Sequence, residues 1–229
     1  MSGGMMGRLG VALVMAGALF AGAASATPTC STIDNLGPSG QGVFLKSQFT
    51  SGFCVLAQDK LFGDFNLGNL PSSLVVLFNL NTIGNMDYHQ ISFDATYSKG
   101  TTSAGRTYNW SYEVAVAPNA VLGTKIVELD ADFSQTAGGP SVLTKTTNIA
   151  GAGTIQETKT GANSSGTTSI LFSGGITDMI VTEKLVDKGT ISAVTNTIVE
   201  QIPAPEPASL MLLGGALAGL GALRRKRKN

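Results

Sequence analysis

One histidine, two cysteines and a scatter of carboxylates are the groups in the middle of this 229-residue chain that could do chemistry. His89 is the single histidine, so any histidine-dependent triad would have to use it. It stands between Tyr88 and Gln90 at the start of an alternating segment, a position that predicts a surface or edge-strand side chain. Ser39, in Gly37-Pro38-Ser39-Gly40, lacks both the spacing and the strand-to-helix setting of a nucleophile elbow. Glu128, Asp130 and Asp132 fall on one strand face, and Asp59, Asp64 and Asn66 offer oxygens from a loop. Calcium takes about six to eight oxygen ligands, and neither group has the spacing of a known calcium loop, so a solvated acidic strip is the plainer reading. Glycoside hydrolysis needs two carboxylates facing each other across a cleft, which spacing along a chain does not provide. Tyr108, Trp110 and Tyr112 also share a strand face. Such a row is either a platform on which sugar rings stack or, more commonly in mid-strand, core filling. Asn109-Trp110-Ser111 and Asn163-Ser164-Ser165 match the glycosylation sequon at a chance level. The expectation is a chain with no catalytic residue, no cofactor and no metal ligand set.

Cys30 and Cys54 are the only cysteines. In an oxidising compartment an even pair reads as a disulfide, with two free thiols as the alternative. A metal site would need more ligands than this pair and His89 supply nearby.

The elements that must position these residues read as strands. Ser73 to Leu80 is almost continuously apolar, as in a buried strand. In Tyr88 to Tyr97, Ile91, Phe93, Ala95 and Tyr97 alternate with polar residues, and Thr107 to Val116 alternates in the same way. The pattern continues through 125–133, 141–149, 154–160, 168–173, 179–186 and 190–200. Glycine, proline and asparagine clusters break it, among them Gly138-Gly139-Pro140 and a flexible loop over Gly161 to Gly166. About ten strands at this spacing predict an all-β antiparallel sandwich, with a jelly roll as one version of it. A short helix or turn is expected near Ser31–Leu36, and a hairpin around Asp187-Lys188-Gly189 joins the last two strands.

Both ends of the chain depart from this pattern. Arg8 precedes an apolar run from Leu9 to Ala21, and Ala24-Ser25-Ala26 provides the small residues of a signal-peptidase site. Residues 1–26 are therefore expected to be a signal peptide, cleaved after Ala26. At the other end Pro205-Glu206-Pro207 introduces an uncharged stretch from Ala208 to Leu223, closed by Arg224, Arg225, Lys226, Arg227 and Lys228. Sixteen residues span roughly 24 Å as a helix, short of a hydrocarbon core of roughly 30 Å. The stretch is a marginal transmembrane-type helix whose basic end stays on the cytoplasmic side. The two prolines keep a helix from running back through the spacer. Three segments follow: 1–26, an exported β domain over 27–202, and a tail over 203–229. Residues 27–204 hold 9 Lys and Arg against 14 Asp and Glu. So acidic a unit lacks the basic footprint that nucleic acid or an anionic bilayer requires.

The order Pro-Glu-Pro, short apolar helix, arginine-rich terminus resembles the PEP-CTERM sorting signal of bacterial exported proteins. The Asp59-Lys60-Leu61-Phe62-Gly63-Asp64-Phe65 stretch after Cys54 is similar to segments of such proteins. The resemblance implies recognition of Pro205, Glu206 and Pro207 by an exosortase, an integral-membrane cysteine protease. It also implies a signal peptidase step, a transient stay in the inner membrane of a Gram-negative bacterium, and delivery to the cell surface or extracellular matrix. The family's link to biofilm and exopolysaccharide makes a non-enzymatic structural or adhesive role the leading expectation. A carbohydrate-binding module comes second and a glycan-active enzyme third.

Overall fold

A computed structural model of the protein describes residues 27–98 and 105–203. Ala24 and Ala26, the Pro205-Glu206-Pro207 motif, the apolar 208–223 stretch and the basic Arg224–Lys228 cluster lie outside the described residues. The described chain is all-β. Its strands are β1 (Thr32–Asn35), β2 (Gly42–Leu45), β3 (Phe53–Ala57), β4 (Lys60–Asn66), β5 (Val75–Ile83), β6 (Met86–Tyr97) and β7 (Arg106–Val116). They continue as β8 (Lys125–Gly138), β9 (Ser141–Thr147), β10 (Thr154–Thr160), β11 (Asn163–Thr167), β12 (Ser169–Ile176), β13 (Asp178–Asp187) and β14 (Gly189–Gln201).

They form two sheets. Sheet A runs β1-β3-β4-β7-β13-β9-β10-β11 and sheet B runs β12-β8-β14-β6-β5-β2, with β1–β3 the parallel pair and the other pairs antiparallel. Eight and six strands exceed the eight of a jelly roll, and the architecture is a broad two-sheet sandwich. Period-two alternation builds it directly. Ile91 and Phe93 of β6, Val194 and Ile198 of β14, Val181 and Leu185 of β13 and Leu143 of β9 all turn inward to one shared core. Tyr108, Trp110 and Tyr112 of β7 join it, each no more than 2% exposed. Their rings pack against sheet B, Trp110 and Tyr112 on Phe93, Tyr108 edge-on to Tyr97. The aromatic row fills the core.

Cys30 and Cys54 form a disulfide with Cα atoms 5.6 Å apart, closing a loop worth about 3.5 kcal/mol by loop-closure entropy. The bond sits tightly against the sheet. A Cβ on Gly63 would lie 2.6 Å from Cys54 Sγ and 2.7 Å from Pro28 Cβ, so β4 has room there for glycine alone. The next residue, Asp64, takes φ +47°, where the register of β4 against β7 shifts.

Three expectations need correction. Thr32–Asn35 is a strand and not a helix or turn, because the adjoining disulfide holds it alongside β3, where its backbone pairs. The Gly161–Gly166 loop is largely an edge strand: Asn163–Thr167 pairs with β10 through its backbone while all its side chains stay exposed, so no apolar pattern marks it. Finally, β13 and β14 are not a hairpin. Both edges of β13 are taken by β7 and β9, and both edges of β14 by β6 and β8. The chain therefore crosses from sheet A to sheet B at Lys188, in a tight turn where Gly189 N donates to Asp187 Oδ1 at 2.8 Å.

Candidate functional site

Extending the inward face of β6 back by two and four residues from Ile91 reaches His89 and Asp87, 1% and 0% exposed. His89 is thus a buried residue of an interior strand and not the surface or edge histidine its neighbours suggest. It is flanked by β5 and β14. The inward face of β14 likewise runs Val194, Asn196, Ile198 and on to Glu200, which is fully buried. Glu200 sits directly across from Asp87 in the β14–β6 register, so two acids face each other on the core side of sheet B. Sheet A closes over them with Lys60, at the start of β4, and Asp59, in the turn from β3.

His89 Nε2 lies 3.2 Å from Glu200 Oε2 and 3.6 Å from Asp59 Oδ1. Lys60 Nζ pairs with Glu200 and, at 3.1 Å, with Asp59 Oδ1. One ligand atom from each of Asp59, Asp87, His89 and Glu200 falls within 4.8 Å of the others. Three carboxylates thus face one ammonium. Burial pushes the Asp59 carboxyl above its ordinary value, Lys60 opposing and Glu200 assisting. Burial, and then Lys60, lowers His89 to about 4, so at neutral pH the imidazole is uncharged and has a lone pair to offer. Both oxygens of Asp87, Oε1 of Glu200 and Nδ1 of His89 are buried without a hydrogen-bond partner among the described residues. In such a place an oxygen-rich, single-imidazole set could hold a divalent cation.

A second buried polar group sits deeper. Lys145 of β9 and Glu183 of β13 are opposite each other in register, both fully buried, with Nζ to Oε2 at 3.6 Å. Asn196 of β14 accepts from Lys145 and donates to Glu183 Oε1 at 2.7 Å. Trp110 Nε1 donates to the same oxygen at 3.1 Å. Burial lowers Lys145 and raises Glu183, while each opposes the other's shift. This group ties the two sheets together and matches charge for charge.

The remaining residues singled out in the sequence are dispersed. Asp64 accepts from Thr29 N at 3.1 Å and Asn66 from Gly68 N at 3.2 Å, so neither joins Asp59. Glu128, Asp130 and Asp132 do lie on the outer face of β8 but are not among the grouped metal-type ligands. Asp132 pairs with Lys159, and partial burial beside Glu128 lifts Asp130 to about 6. Ser39 sits in an exposed turn, its hydroxyl on Leu36 O. No helix among the described residues is long and apolar enough to cross a membrane.

Asp87, Glu200, Lys145 and Glu183 carry no sequence motif, and Lys60 is marked only as part of the Asp59–Phe65 stretch. The available signal was parity. Each is a charged residue in phase with the apolar, inward set of its own strand.

Residues 203–227 match the family model of the PEP-CTERM protein-sorting motif. No curated protein and no solved structure matches the chain. The motif implies processing by an exosortase, and hence an exported protein with a membrane-anchored intermediate.

Proposed function

We propose that the protein is a non-enzymatic surface or extracellular-matrix component of a Gram-negative bacterium, associated with its exopolysaccharide. The observation that carries this reading is the sorting motif over residues 203–227. It is attached to a β-sandwich whose last strand ends at Gln201, only a few residues before Pro205. In this reading the 1–26 segment directs export and is removed after Ala26. The apolar 208–223 stretch then holds the folded domain at the inner membrane, with Arg224–Lys228 as the stop. Exosortase, reading Pro205, Glu206 and Pro207, releases it outward. A structural role is supported by how the sandwich uses its aromatic and charged residues. Tyr108, Trp110 and Tyr112 fill the core, and Glu183 and Lys145 lock the sheets, which leaves no ring row on that strand for stacking sugars.

The test is replacement of Pro205-Glu206-Pro207 by three alanines. The full-length form should then accumulate in the inner membrane and the released form should disappear from the medium. Release at the wild-type level would remove the basis of the reading.

A further inference from the structure

We propose that Asp59, Asp87, His89 and Glu200 bind one divalent transition-metal ion, Zn2+ or Mn2+, in a closed structural site joining the β3–β4 turn to β6 and β14. The four side chains come from both sheets, and one ligand atom from each lies within 4.8 Å of the rest. Oxygen and imidazole ligands stand about 2.1 Å from such an ion, so in a tetrahedral shell they lie about 3.4 Å from one another, and an inward movement of about an ångström completes the shell.

An independent observation also points to a ligand. Asp87 is fully buried, yet among the described residues neither of its carboxylate oxygens has a hydrogen-bond partner, and Glu200 Oε1 and His89 Nδ1 are in the same condition. Unpartnered atoms on three members of this group are what a cation satisfies; leaving a buried carboxylate without a donor or counter-charge is costly. Lys60 does not meet the need. Its single charge is applied to Glu200 and Asp59, and Asp87 is left over. A proton shared between Asp87 and Glu200 would engage one oxygen of each and leave the second Asp87 oxygen and His89 Nδ1 as they are.

The donor chemistry selects the ion. An imidazole favours zinc and its transition-metal neighbours, carboxylates extend the range to manganese, and no thiolate is present. Calcium would need about six to eight oxygens, whereas one atom from each residue gives this group three oxygens and a nitrogen. Burial of every ligand but the partly exposed Asp59 makes the site structural, and its binding energy adds to folding.

Full-length protein, purified in detergent, stripped with EDTA and desalted, is offered Zn2+, Mn2+ or Ca2+ separately and desalted again. One equivalent of Zn2+ or Mn2+ should be retained, with a rise in the thermal midpoint. Asp87→Asn should weaken retention by about tenfold or more and abolish the rise, while Asp130→Asn on the outer face keeps both. Asparagine removes an unpaired buried charge, so metal-free Asp87→Asn should be at least as stable as the metal-free parent, and lost binding will not reflect lost folding. Retention of no ion, or of calcium alone, would overturn the proposal. So would retention that Asp87→Asn leaves unchanged or that Asp130→Asn removes.

Discussion

The sandwich buries charge in two places, and the two are built on opposite terms. At the Lys145–Glu183 group, one ammonium meets one carboxylate across adjacent strands; Asn196 and Trp110 donate to Glu183 Oε1, and Oε2 has only the Lys145 ammonium, 3.6 Å away. At the β6–β14 end, one ammonium serves Glu200 and Asp59, and the Asp87 carboxylate has no hydrogen-bond partner among the described residues. Buried ions are tolerated when geometry and hydrogen bonding offset the cost of leaving water. The first group balances its charge within the chain, one ammonium to one carboxylate. The second has more carboxylates than its one ammonium pairs with, which is the imbalance the proposed cation would meet.

Substitutions of similar size should therefore have opposite effects at the two sites. The largest effect is expected at the central lock. Lys145→Met leaves Glu183 buried without its counter-charge and should cost about 3 to 5 kcal/mol, read from urea unfolding at neutral pH. Little change there would erase the distinction between the groups. At the other site Asp87→Asn, assayed without metal, should raise stability by about 1 kcal/mol, because a lone buried charge is replaced by a neutral amide. A loss of stability in EDTA would mean that Asp87 is paired after all.

A third acid group, closer to the surface, sharpens the comparison through pH. Burial, the neighbouring Asp64 and then Asp178 lift Glu113 from 4.5 to about 7. The folded state then holds this proton more tightly than the unfolded chain. Stability from this residue is full below about 4.5, declines as pH rises to about 7 and stays low above that. Glu113→Gln should thus gain on the order of 1 kcal/mol near pH 8 and almost nothing near pH 4. An equal gain at both pH values would show that repulsion and desolvation of the ionised form are not the cause.

Much of this fold was legible because the signals were local. Alternation along Tyr88–Tyr97 and Thr107–Val116 put Ile91, Phe93, Tyr108, Trp110 and Tyr112 in the core, where they are found. The single cysteine pair is bonded, and the tail over 203–227 was readable from composition and order alone. Strand partnership was not legible. Nothing in Asp187-Lys188-Gly189 distinguishes a hairpin from a crossing between sheets, since that depends on which edges distant strands already occupy. The buried acid cluster was half legible. The parity of Ile91 and Phe93 carries inward position back to His89 and Asp87, but Glu200 is 111 residues from His89 and no spacing rule connects them. Edge strand β11 left no trace, because all of its side chains face solvent.

The proposed release of the sandwich from the membrane, by cleavage at its sorting tail, fixes the intact mass of the native protein recovered outside the cell. The predicted mass is that of a chain beginning at Thr27, with Cys30 and Cys54 joined and the Arg224–Lys228 cluster absent. A full-length mass, found inside the cell with both ends in place and none outside, would contradict it.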